Sequence, residues 1–152
     1  MSKEPILETE RLILRPITLD DAKACFSWNS DERVTKYMSY PTLTDISQTI
    51  DWIKSTLTDE KEYNFAFVLK EENKVIGTGS IGPSSKIEGY WGMGYNLHFD
   101  YWHKGYCTEA MKAIIDYVHK ELGVNKICSC HAVDNPRSGK VCLLYTSDAA
   151  DD

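Results

Sequence analysis

Apolar positions recur along the chain at two spacings, and the alternation between them outlines a single α/β domain. The widest helical stripe follows Thr108: Ala110, Met111, Ile114, Ile115, Val118 and Leu122 share one face, and Gly123 stands where a C-terminal cap is expected. A second helix is predicted after Thr44 as its cap, with Ile46, Ile50, Ile53 and Leu57 on one face. A shorter one starts near Thr18, Asp20 and Asp21, which supply a cap and first-turn acidic charge. Ala22, Cys25 and Phe26 make its apolar face, and it runs to Trp28. Period two takes over at Tyr63, Phe65, Phe67 and Leu69, with Ala66 and Val68 opposite, so both faces of that strand are expected to be at least partly buried. Glu71-Glu72-Asn73-Lys74 then reads as a polar hairpin turn into an antiparallel partner over 75–81, whose Gly77 and Gly79 permit close approach.

The remaining segments fit around these. Residues 11–17 form a short apolar run closed by Pro16, a strand ending at an edge or turn. Residues 29–32 are loop-like, 34–40 is ambiguous before Pro41, and 83–89 is a loop. A strand is expected over 90–99 and another over 124–133, where Ile127, Ser129, His131 and Val133 alternate with Cys128, Cys130 and Ala132. Strand, turn, helix and strand make one crossover unit, so the strands at its two ends should run parallel in a right-handed arrangement.

Composition narrows the class. With 152 residues, 42% of them hydrophobic and 26% charged, the chain reads as one soluble globular domain. No apolar run approaches the roughly 20 residues needed to cross a bilayer, and Ser2-Lys3-Glu4-Pro5 begins no secretory signal, so a cytoplasmic location is expected. Five cysteines, an odd number, suit a reducing compartment. Cys128-Ser129-Cys130 lacks the spacing of a redox or zinc pair, the four histidines show no ligand spacing, and no metal is expected. A net charge of −6 argues against nucleic acid as main partner and tolerates a cationic one, such as an amine or a basic peptide.

The candidate chemistry centres on Tyr101-Trp102-His103-Lys104-Gly105-Tyr106-Cys107-Thr108-Glu109-Ala110. The chain leaves a strand, turns through one glycine and opens its best amphipathic helix, where unsatisfied amides and the helix dipole favour an anion such as a pyrophosphate. Neither a Walker ending nor a three-glycine dinucleotide fingerprint is present. The plain alternative is a strand-to-helix turn.

The longer run Gly94-Tyr95-Asn96-Leu97-His98-Phe99-Asp100, continued by that stretch, resembles the acetyl-CoA signature of the GNAT superfamily of N-acetyltransferases. Glu8-Thr9-Glu10-Arg11-Leu12-Ile13-Leu14-Arg15-Pro16 before it and Asn135-Pro136-Arg137-Ser138 after it look like the branch that acetylates ribosomal-protein N-termini. The resemblance covers 8–142. It implies a mixed, mostly antiparallel twisted sheet with a central parallel strand pair and flanking helices. It also implies acetyl-CoA as co-substrate, bound by His103, Lys104, Gly105, Tyr106, Cys107 and Thr108 in the cradle with Trp102 before it. Main-chain groups of Leu97 and Phe99 would meet the pantetheine arm by strand addition, and Asn135 would bond the same region. Ser138 matches a serine that hydrogen-bonds the sulfur and steadies the departing thiolate; a helix cap is its plain alternative.

The general base has no clear match. Relatives carry glutamate two residues before the Gly-Tyr pair, where this chain has Gly92. Glu88, His98 and His131 are the nearest candidates, with water as the alternative route for the proton and an ordinary strand or loop role as the plain reading of each histidine. Residues 143–152 show no strand alternation and resemble no part of the family. The expectation is therefore an acetyltransferase domain over 1–142 with its last two strands missing, a stunted final helix, an uncovered edge at 124–133 and a non-family tail over 143–152. The expected activity is acetyl transfer to a primary amine, either a protein N-terminus or a small amine. A catalytically inert CoA-binding or interaction module is the other class.

Overall fold

The period-two stretches become strands of one sheet in the computed structural model, which describes residues 3–36, 38, 40–84 and 89–129. The strands are β1 (Leu7–Glu8), β2 (Leu12–Pro16), β3 (Tyr63–Leu69), β4 (Lys74–Pro83), β5 (Trp91–Leu97) and β6 (Ile127–Ser129), neighbours in that order. Pairs from β1 through β5 are antiparallel, and β5 with β6 is parallel, Trp91 opposite Ile127 and Met93 opposite Ser129. The mixed, mostly antiparallel sheet expected from sequence is therefore present, with the parallel pair at one end of its described part. The helices are α1 (Ala22–Asn29), α2 (Glu32–Thr35), α3 (Ile46–Thr58) and α4 (Tyr106–Leu122). The expectations for 130–152, including the rest of the last strand, the stunted helix and the tail, lie outside the described residues.

Two apolar clusters form the core. The larger joins Phe65, Phe67, Ile76, Ile81, Met93 and Leu97 of the sheet to Ala110, Met111, Ile114, Ile115 and Val118 of α4. The smaller gathers Ile17, Ala22, Cys25, Trp28, Val34 and Ile53 around α1 and α3. β3 is buried along almost its whole length because its residues alternate between the faces these helices cover. Gly79 of β4 has its own reason. A Cβ there would lie 2.6 Å from the Phe67 ring and 2.9 Å from the Met111 sulfur, so the absence of a side chain lets α4 and β3 close together.

Several boundaries differ from the periodicity. The cap of α3 is Asp45 rather than Thr44: its carboxylate accepts the Ser47 amide at 2.8 Å, while Gln48 Oε1 accepts the Asp45 amide at 3.1 Å. The buried stripe of α3 is Thr49, Ile53 and Thr56, leaving Ile46 and Leu57 exposed. The hydroxyls are accommodated because Thr49 accepts from Asn29 and Thr56 donates to the Ile53 carbonyl. α4 begins two residues earlier than Thr108, and Leu122 at its last turn is exposed. Before α1, a 3₁₀ turn over Leu19–Asp21 is held by the fork from Arg15 to Asp21 at 2.8 and 2.9 Å and by the Thr18 amide on the same carboxylate. β1 and the single turn α2 had no periodic signal.

Candidate active site

β5 delivers the chain to the head of α4. The His98 amide donates to the Ile76 carbonyl at 2.8 Å, while Leu97 stands opposite Gly77. In an antiparallel ladder that register turns Leu97's own N–H and C=O away from β4, toward the edge that β6 joins. Leu97 is thus oriented as expected for main-chain contact, but its carbonyl already accepts from Trp102 Nε1 at 2.8 Å. Phe99 is different. The strand ends at Leu97, and Phe99 begins a 3₁₀ turn whose Trp102 amide donates to the Phe99 carbonyl. Its ring packs on Trp102 at 4.9 Å and lies 4.1 Å below the Arg33 guanidinium. The side chain holds the turn, and the strand expected over 90–99 is corrected to end at Leu97, with the Phe99 carbonyl taken up by the turn.

The turn itself reverses by two left-handed residues. His103 has φ 65° and Gly105 φ 81°. The first is unusual for a residue with a Cβ, and the second is where glycine carries no penalty. Gly105 is the N-cap of the 17-residue α4, whose first intrahelical bond runs from the Glu109 amide to the Gly105 carbonyl at 3.0 Å. The helix amides ahead of that bond point out along the axis at its positive end. His103, Lys104 and Thr108 are exposed around them, Tyr106 is buried, and Cys107 is half-buried. Cys25, by contrast, is wholly buried and its thiol is pushed up to about 12 by burial, so it is inert. A pyrophosphate fits the cradle: the positive φ excludes most side chains, and a Cβ on Gly105 would meet only Arg11 Nη2, at 3.5 Å.

Behind the cradle lies a cluster that periodicity did not reveal. Glu109 accepts from Thr9 Oγ1 at 2.5 Å, from the Arg11 amide at 2.9 Å and from Arg11 Nε at 2.7 Å. Arg11 Nη1 donates to the Lys104 carbonyl at 2.9 Å, and its guanidinium lies 4.2 Å over the Tyr106 ring. Burial pushes the Glu109 carboxyl up, yet the hydrogen bonds from Thr9 and Arg11 hold it below the usual range. Thr9, Arg11 and Glu109 all stand within the segments that carry the family resemblance. A contact across 98 residues has no local signature, and only their place in those segments could have pointed to them.

The base candidates separate. His98 Nδ1 accepts the Asp100 amide at 3.1 Å, with the Asp100 carboxylate at 3.9 Å. That bond makes His98 the cap of the 3₁₀ turn over Phe99–Tyr101, with its Nδ1 lone pair engaged. Gly92 on β5 faces open space: a Cβ there would meet only Ser84, at 3.9 Å. Glu88, His131, Asn135 and Ser138 lie outside the described residues. Among the described residues no group of three or more His, Cys, Asp or Glu could hold a metal ion, and no helix is long and apolar enough to cross a membrane.

Comparison with known proteins gives this geometry a family. A family model described as an acetyltransferase (GNAT) domain matches residues 11–143. The uncharacterized N-acetyltransferase p20 of Bacillus licheniformis is 39% identical over 124 residues, spanning 80% of this chain and 70% of that protein. The chain belongs to the GNAT acetyltransferase family. In fold it is similar to a GNAT-family acetyltransferase from Bacillus anthracis, with a TM-score of 0.80 at 24% identity, covering 93% of this chain and 82% of that one. It is likewise similar to RimL, a ribosomal L7/L12 alpha-N-protein acetyltransferase solved in complex with coenzyme A. There the TM-score is 0.79 at 15% identity, over 93% of this chain and 82% of that one. The ribosomal-protein branch suggested by the motifs is thus among its structural neighbours.

Proposed function

We propose that the chain transfers acetyl from acetyl-CoA to a primary amine, a protein N-terminus or a small amine, by direct attack. The observation that carries the reading is the left-handed Gly105 at the head of α4, reached from β5 through the 3₁₀ turn in a chain of this family. In it the pyrophosphate takes the His103 to Thr108 amides, with the exposed Lys104 adding a screened charge. The Leu97 amide meets the pantetheine arm, Trp102 fixes the Leu97 carbonyl and walls the turn, and Asn135 holds the arm further along. The amine nitrogen attacks the thioester carbonyl, the C–S bond breaks, and the electron pair leaves on sulfur, where Ser138 donates to the developing thiolate. Water carries the ammonium proton away, since Gly92 offers no carboxylate and His98 is bonded as a cap; Glu88 is the alternative base.

The test is to incubate the protein with acetyl-CoA and a panel of peptides and small amines while following released thiol and thermal stability. Thiol release with at least one amine class is expected. Stabilisation by CoA without release for any amine would instead make the chain a binding module, and no stabilisation would refute the cofactor assignment.

A further inference from the structure

The hairpin turn between β1 and β2 reaches the cradle through charge. Three hydrogen bonds from Thr9 and Arg11 converge on the Glu109 carboxylate, so both of its oxygens face Arg11 and Thr9. The same arginine holds the Lys104 carbonyl through Nη1, stacks on Tyr106, and brings Nη2 to 3.5 Å from the point a Cβ on Gly105 would occupy. A carboxylate in the first turn of a helix favours the positive end of the dipole, but it competes there with any anion arriving from outside and repels it. Glu109 is such a carboxylate. It lies in the first turn of α4, four residues after the glycine that opens the cradle.

We infer that Arg11 is a charge-masking and positioning residue of the diphosphate seat, and that it makes the site selective for acyl donors that carry a diphosphate. It cancels the Glu109 charge and ties down the carbonyl that precedes Gly105, so the turn keeps its amides outward for the ligand. Glu109 is then a tether for Arg11 and is itself unfavourable to an anion once left bare. This deepens the proposed function and rests on the cradle being the cofactor's diphosphate seat. The two ideas separate experimentally, because wild-type affinity for CoA tests the seat and the variants test Arg11.

The experiment compares wild type, Arg11→Ala, Glu109→Gln and the double variant for binding of CoA and of pantetheine, which lacks the diphosphate. Arg11→Ala is expected to weaken CoA by about 10-fold or more, Glu109→Gln by under about 3-fold, and the double variant to regain most of the loss. Pantetheine affinity stays the same in all four. Arg11→Lys keeps the charge but cannot hold Glu109 and the Lys104 carbonyl together, so it should fall between wild type and Arg11→Ala, whereas Arg11→Gln should repeat the CoA-selective loss and serves if the alanine variant does not fold. Equal losses for CoA and pantetheine would mark a merely structural role. A double variant as weak as Arg11→Ala, or a glutamine variant with full CoA affinity, would overturn the masking idea. Wild type that fails to bind CoA would remove the seat and the inference with it.

Discussion

Gly105 and Gly123 stand at opposite ends of α4 in the same left-handed conformation, φ 81° and 71°, and this makes a matched pair for one test. Alanine at either position must adopt a backbone that costs an L residue about 1–2 kcal/mol. Neither site adds a clash, since a Cβ at Gly123 meets nothing within 4 Å and one at Gly105 meets only Arg11 Nη2 at 3.5 Å. At Gly123 the stability effect should therefore be a fall in Tm of roughly 2–8 °C by calorimetry for a domain of this size. Ligand binding should separate them. At Gly105 a shift of the first-turn amides relieves part of the strain, so Gly105→Ala should lower Tm less than Gly123→Ala and lose up to roughly 5- to 30-fold in CoA affinity by titration calorimetry, the relieved energy reappearing on binding. Gly123→Ala, at the far end of the helix, loses none. Asparagine, which tolerates positive φ, should fall between glycine and alanine at Gly105, and valine, β-branched, should abolish binding. If Gly105→Ala lowers Tm less than Gly123→Ala and yet keeps full CoA affinity, the cradle is a turn and nothing more.

Four further outcomes are expected. Gly79→Ala should destabilise by about 1–3 kcal/mol despite ordinary extended backbone, because the contacts at 2.6 and 2.9 Å with Phe67 and Met111 outweigh the usual gain of about 0.4–1 kcal/mol from replacing glycine; Phe67→Leu in the same chain should recover part of it. Asp21 is pushed up by burial, but its bonds with Arg15 and Thr18 hold its carboxyl below its ordinary value of 3.8. Its contribution is thus complete above that pH and lost as pH falls through the lower folded value, so wild type should lose Tm more steeply than Asp21→Asn in acid melts. Gly92→Glu places a carboxylate in open space on β5 and should raise turnover near neutral pH by roughly 10- to 100-fold, and an unchanged pH–rate profile would show that position 92 does not reach the amine. Ser138→Ala should lower kcat by roughly 10- to 1,000-fold with CoA affinity intact, the mark of a bond made only in the transition state; equal small effects on affinity would return Ser138 to a helix cap.

Local pattern determined a good deal. The stripe of α4, the two-faced burial of β3, the hairpin at 71–74 and the glycine at each end of the last described helix could all be read along the chain. Each depends on neighbours within a few residues, through hydrogen-bonded turns and side-chain period. The Gly105 turn also identified itself, because one glycine between a strand and an amphipathic helix has few physical readings and the wording around it resembles one family.

What the sequence could not decide was set partly by contacts between distant segments and partly by short-range bonds whose geometry the hydrophobic pattern does not carry. Ile46, Leu57 and Leu122 carry the right periodicity yet stay exposed, because the sheet and α1 cover only part of each helix, and Thr49 and Thr56 take buried places once partners satisfy their hydroxyls. Phe99 reads as strand until the Trp102 amide returns to its carbonyl. His98 caps the same turn by accepting the Asp100 amide, a role that periodicity does not mark. Arg11 and Glu109, 98 residues apart, meet only because the β1–β2 turn is carried to the head of α4. A charge pair of this kind depends on distances of a few ångströms between segments remote in sequence, and only the tertiary fold sets those distances.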